Sequence, residues 1–129
     1  MKQLESQQQT ALFKLIHLRA KTCAKWNAIY SIPNGGKRDA AVGAKMKAEG
    51  QKAGVWDICV PIPAGCYLGM FIEMKAGKNK LSTSQISFRD NLVSACYDPF
   101  AENPKSWKFE VCYSAKEAYE TIENYFKGV

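Results

Sequence analysis

Apolar side chains recur at a helical period from Leu4 to about Ala24. Leu4, Ala11, Leu12, Leu15, Ile16 and Leu18 predict an amphipathic helix with that set as its buried side. "NAIYSIP" then reads as a short strand stopped by Pro33, and "NGGKRD" as a loop, because Asn-Gly and Gly-Gly favour positive φ. "AAVGAKMKAEG" returns to helical patterning, with Asp39 as N-cap and Gly50 as its stop. "VWDICVPIP" is β-branched and aromatic and ends at prolines, so it predicts a strand. "AGCY" turns the chain and "LGMFIEMKA" returns, predicting a hairpin that brings Asp57 near Glu73. After the basic loop "GKNKLST", Ser82 or Thr83 caps the helix "SQISFRDNLVSAC". The polar, proline-containing "YDPFAENPKS" predicts an exposed connection, and "WKFEVCY" a last strand. Ser114 caps a final helix, "AKEAYETIENYF", whose apolar side is Ala118, Tyr119, Ile122 and Phe126.

The predicted order is α-β-α-β-β-α-β-α. It implies an α/β fold, a small mixed β-sheet flanked by helices on both faces. At 129 residues, one domain spanning residues 1–129 is expected. No apolar run approaches the roughly 20 residues that cross a bilayer, and "MKQLESQQQT" is too polar for a signal peptide. The five cysteines are odd in number and lack CxxC spacing, which argues against a zinc site or a disulfide framework. Cys59 and Cys112 fall in apolar runs and read as core residues. A reducing intracellular compartment, the cytoplasm, is expected.

The net charge of +6 is unevenly spread. Lys14 to Lys52 holds nine Lys or Arg against two acids, whereas Asp98 to Val129 holds four Lys against six acids. A basic first half is consistent with a solvated surface or a phosphate-binding face, and charge alone does not separate them.

Four residues break the apolar pattern. Asp57 lies inside "VWDICV", and Glu73 and Lys75 share one face of the next strand, two residues apart. Glu5 falls within about 20° of Leu12 and Ile16 around the first helix, so it shares their stripe. Taken singly, any of these reads most simply as half of an ion pair. Taken together, three inward carboxylates repel one another unless a cation lies between them. Carboxylate oxygens are hard ligands suited to Mg²⁺ or Mn²⁺. A lysine beside such a site orients water or offsets charge on a phosphate, which points to a phosphodiester substrate.

"IPNGGKRDAAVGAKMKAEGQKAGVWDI" and "GMFIEMKAGKNKLSTSQ" together resemble the small stand-alone VRR-NUC domains of phages and bacteria, within the PD-(D/E)xK nuclease superfamily. The resemblance spans nearly the whole chain. It implies that Asp57 is the aspartate of the first motif and that Glu73 and Lys75 are the ExK pair. Asp57 and Glu73 would then hold a Mg²⁺ or Mn²⁺ ion, with the main-chain carbonyl of Met74 as a further ligand. Glu5 resembles the helical glutamate that completes the acidic cluster. Gln85 resembles the glutamine that buttresses the site, and Lys75 would position the attacking water. The resemblance further implies DNA as substrate and a homodimer acting on branched or four-way-junction DNA, with no nucleotide cofactor and no membrane.

The sequence departs from that pattern in three places. Trp56 stands where proline is usual, which alters packing beside the site. "AGCYLG" replaces a glycine-rich turn that carries a histidine. The Asp98–Ser106 connection is longer than in the shortest relatives and is a candidate contact to substrate or a second subunit. "NGGKR" lacks GxxxxGK[ST] spacing, so Lys37 and Arg38 are expected to contact DNA rather than a nucleotide, as are Lys78 and Lys80. His17 falls about 120° from Glu5 and reads as a surface or boundary residue. Trp26, Trp107 and Tyr30 read as packing residues. The alternatives are a nuclease of nicked, flapped or plain duplex DNA or of RNA, and a nucleic-acid-binding module that does no cutting.

Overall fold

The computed structural model describes residues 2–33 and 39–128. Helix α1 runs Lys2–Ala20 and is followed by a 3₁₀ turn, Ala24–Ala28. Strand β1 (Tyr30–Ser31), helix α2 (Ala40–Ala48), strands β2 (Ile58–Val60) and β3 (Tyr67–Met74), helix α3 (Thr83–Ala95), strand β4 (Ser106–Cys112) and helix α4 (Ala115–Lys127) complete the chain. The order agrees with that read from the sequence.

The strands form one four-stranded sheet in the order β1-β2-β3-β4. β1–β2 and β2–β3 are antiparallel and β3–β4 is parallel, so the sheet is mixed. The hairpin register pairs Ile58 with Ile72 and Val60 with Met70. Alternation sends Ile58, Val60, Met70, Ile72 and Met74 to one face, where they pack with Leu12 and Ile16 of α1 and Ala118, Ile122 and Tyr125 of α4. Cys59 and Phe71 point to the other face, where Phe88 and Leu92 of α3 meet Trp56, Trp107 and Phe109. Glu73 shares this second face by the same alternation.

Local chemistry fixes these elements. Asp39 caps α2 by accepting from the Val42 N–H at 2.8 Å, and Ser114 caps α4 by accepting from the Glu117 N–H at 3.1 Å. On β3, Gly69 makes room for Trp107, since a Cβ there would lie 2.4 Å from the indole ring. α1 is fixed on α4 by Gln8 Oε1, which accepts from the Ala115 N–H at 2.8 Å, and by Arg19, 3.5 Å from Glu123. That docking determines where Glu5 ends up.

Several expectations are corrected. α1 ends at Ala20, and its buried apolar residues are Leu12 and Ile16, while Leu4, Leu15 and Leu18 are exposed. The helix rests on the sheet along a narrow line, so the wide stripe read from the sequence is only partly covered. β2 is only three residues long, and Val55, Trp56 and Asp57 precede it. The Trp56 indole is instead drawn to α3. In α4, Tyr125 is buried and Tyr119 and Phe126 pack at the margin of the core. Trp26 is buried and Trp107 packs against Phe71, as expected, whereas Tyr30 is half exposed. Cys59 and Cys112 are buried. Among the described residues no helix is long and apolar enough to cross a membrane. Lys37 and Arg38 lie outside the described residues.

Candidate active site

Asp57 and Glu73 meet where β2 begins and β3 ends. With Ile58 paired to Ile72, the antiparallel register sets the preceding Asp57 opposite Glu73. Each carboxylate is then held by the other strand's backbone. The Asp57 N–H donates to Glu73 Oε1 at 3.0 Å, and the Met74 N–H donates to Asp57 Oδ2 at 3.1 Å. The Gln85 side-chain amide donates to Glu73 Oε2 at 2.8 Å, and Lys75 Nζ lies 3.4 Å from the same oxygen. Hydrogen bonds to a charged group contribute about 1.5–3 kcal/mol each, enough to keep Glu73 from swinging toward solvent.

Gln85 is itself anchored from both ends. It is the N3 residue of α3, and its Oε1 accepts from the Ser82 N–H at 2.8 Å while its own N–H donates to Ser82 Oγ at 3.2 Å. With Oε1 engaged by this capping box, the amide nitrogen is left to face Glu73. Trp56 Nε1 donates to the Gln85 carbonyl at 3.0 Å, and its ring packs edge-on against Phe109. The tryptophan at the position before Asp57 thus braces the glutamine. Gly54 lets the chain come this close: its φ is +83°, and a Cβ there would lie 2.2 Å from the Ser84 carbonyl oxygen.

Glu5 arrives from the first turn of α1 and is half-buried. Asn79 Nδ2 donates to Glu5 Oε1 at 3.4 Å, and the Tyr113 hydroxyl donates to the Asn79 carbonyl at 3.1 Å. The loop after β3 is thereby tied to α1 across the site. Lys78 and Lys80 flank Asn79 and are exposed.

The electrostatics are those of a crowded acid pair. Glu73 is 4 % exposed. Burial first, and the Asp57 charge second, push its carboxyl up from 4.5 to about 7, against the pull of Lys75 and the Asp57 N–H. Burial also raises the Asp57 carboxyl, and the Glu5 charge adds to this, while the Met74 N–H, Glu73 and Lys75 oppose it. An ion pair between Lys75 and Glu73 accounts for one acid only, since no cationic side chain of the described residues forms a salt bridge with Asp57. A proton shared by the two carboxyls, or a cation, would satisfy the surplus negative charge.

A hard divalent cation would suit this donor set of carboxylate oxygens, which is partly buried and short of positive charge. Among the described residues no three His, Cys, Asp or Glu side chains are gathered closely enough to enclose an ion by themselves. Any side-chain ligation would therefore centre on Asp57 and Glu73, with Glu5 lining the same cavity.

That cavity, of about 790 Å³, brings together Glu5, Asp57, Glu73, Lys75 and Gln85. Its wall continues along α1 as far as His17, with Ile32 and Pro33 also lining it. His17 is exposed, as its helical angle predicts, yet it borders the acidic cavity, which that angle alone did not suggest. Sequence reasoning also missed Asn79 and Tyr113. Asn79 sits in the basic run "GKNK", which carries the signature of a solvated turn and gives no hint of a partner 74 positions earlier.

No protein-family profile and no curated protein matches the sequence. Among solved structures, a VRR_NUC domain protein superposes with a TM-score of 0.68 at 20 % identity, over 94 % of this chain and 89 % of that one. The chain therefore has the VRR-NUC fold, the mixed sheet flanked by helices that the sequence resemblance implied.

Proposed function

We propose that the protein is a divalent-metal-dependent nuclease that hydrolyses phosphodiester bonds in DNA. The observation that carries this reading is the Asp57–Glu73 pair, in which each carboxylate accepts from the backbone beside the other and both line one cavity, with Lys75 beside them and Glu5 nearby. Its VRR-NUC fold agrees. A module that only bound nucleic acid would have no use for buried acids facing a polyanion.

Asp57 and Glu73 would hold Mg²⁺ or Mn²⁺, with the Met74 carbonyl and Glu5 as the further candidate donors. When bound, the ion supplies Lewis acidity, offsetting charge that develops on the phosphate oxygens. Lys75 orients the attacking water and adds positive charge beside the phosphorus. Gln85 and the Asp57 N–H keep the Glu73 carboxylate fixed while this happens. Hydrolysis forms a bond from the water oxygen to phosphorus and breaks the bond to a sugar oxygen; the attacking water gives up a proton to solvent, and the departing sugar oxygen takes one up from solvent to become a hydroxyl. The exposed Lys78 and Lys80, with Lys37 and Arg38, would contact neighbouring phosphates.

Branched DNA and a homodimeric enzyme are the substrate and assembly that the family resemblance favours. At 129 residues the chain presents little surface for reading bases, so shape is the more economical basis for selection. The test is a panel of labelled four-way-junction, flap, nicked and linear duplexes, together with RNA, in Mg²⁺, Mn²⁺ or EDTA. Metal-dependent cutting that is strongest on branched DNA is expected. Binding without cutting across the panel would replace the nuclease by a binding module.

A further inference from the structure

The cavity extends well beyond the groups the hydrolysis needs. From the acid pair it follows one face of α1, where Ser6, Gln9, Thr10, Phe13, Lys14 and His17 succeed one another at helical spacing. After Glu5 this helix carries no further acid, and Lys14 is the one lysine of this face to line the cavity. Arg19 points elsewhere, pairing with Glu123. The far end of the groove is therefore electropositive relative to the acid pair.

It is also aromatic. The Phe13 and His17 rings meet edge-on with centroids 6.0 Å apart. Ile32 and Pro33 bring further apolar surface to the same cavity. Phe13 is anchored against the core, so the ring is held in place rather than free to collapse. Flat rings beside apolar surface, with a lysine next to them, suit a nucleobase with its phosphate. At about 790 Å³ the groove has room for a few nucleotides of one strand.

We propose that this face of α1 is a track for a single polynucleotide strand leading into the acid pair. The exposed His17 ring stacks on a base, backed edge-on by Phe13, and Lys14 takes a phosphate. Lys14 is nine residues from Glu5, or about 13 Å along the helix, which is about four nucleotides at stacked spacing. The proposal rests on the nuclease reading for what happens at the acid end, and names its substrate as DNA carrying an unpaired arm.

The test uses the full chain with Lys14→Gln and His17→Ala, singly and combined; both positions are exposed, so folding is not at stake. Duplexes carrying single-stranded arms of increasing length are cut in Mn²⁺. Separately, binding of a fluorescent eight-thymidine oligonucleotide is followed by anisotropy in Ca²⁺ across a salt series. The combined variant should raise KM for long-armed substrates by about tenfold, with kcat changed less than twofold. Arms too short to reach Lys14 should show no such change. Oligonucleotide affinity should weaken in parallel, and Lys14→Gln should lower the slope of log affinity against log salt by about 0.7. Unchanged KM and oligonucleotide affinity in the combined variant would overturn the track while leaving a cutting enzyme intact. Track-dependent binding by a protein that cuts nothing would support the track and remove the nuclease.

Discussion

If the acid pair holds a proton in the absence of metal, a cation must displace it, and metal affinity must follow pH. The perturbation is a change of pH from 6 to 8. With the Glu73 carboxyl at about 7, roughly a tenth of the molecules are ionised at pH 6 and roughly nine-tenths at pH 8. Apparent affinity for Mn²⁺ should therefore rise about tenfold over that interval, with a slope near one per pH unit at the acid end that flattens above pH 7. The sign for stability runs the other way. The folded carboxyl lies above its unfolded value, so its contribution without metal is fully present below 4.5 and is lost as pH rises through about 7. Displacement from 4.5 to about 7 corresponds to a ceiling of roughly 3 kcal/mol. The metal-free Tm should fall between pH 5 and pH 8, and Mn²⁺ should restore it most at the alkaline end. Titration calorimetry in buffers of different ionisation enthalpy counts the protons directly. Proton release per ion should be largest near pH 6 and fall away by pH 8. Metal affinity that is flat from pH 6 to 8, with no buffer-dependent heat, would refute the shared-proton reasoning.

Three further outcomes follow from the surrounding contacts. Trp56→Phe removes the indole bond to the Gln85 carbonyl; a stability loss of about 1 kcal/mol by denaturant titration, with a fall in cleavage rate, is expected. Asn79→Ala frees Glu5 from its partner, so the metal concentration for half-maximal cutting should rise severalfold while Tm moves little. Gly54→Ala meets the Ser84 carbonyl and a φ of +83°, and should cost about 1–3 kcal/mol in thermal unfolding.

Much of this was written plainly in the chain. The order of elements, the caps Asp39, Ser82 and Ser114, and the hairpin that sets Asp57 against Glu73 all follow from local rules: turn residues, cap residues and strand alternation. What eluded sequence reasoning depends on how elements are placed in space. Leu4, Leu15 and Leu18 fit the apolar period of α1, but which side of the helix meets the sheet is decided by its docking on α4 through Gln8 and Arg19. Trp56 reads as part of a strand because its neighbours are apolar; its indole instead satisfies a carbonyl of the α3 first turn, and β2 starts later. The helical angle puts His17 off the Glu5 stripe but says nothing of a cavity wide enough to include both. Asn79 has a role only because the loop after β3 folds back on α1.

The central claim is that Asp57 and Glu73 together make a metal-dependent cutting site. Its most direct test is nicking of supercoiled plasmid in Mn²⁺ and in EDTA by wild type and Asp57→Asn, with circular dichroism confirming that both are folded. The account predicts cutting by wild type only in Mn²⁺, and a loss of about a hundredfold or more in Asp57→Asn. Equal cutting by the two proteins, or cutting that persists in EDTA, would contradict it.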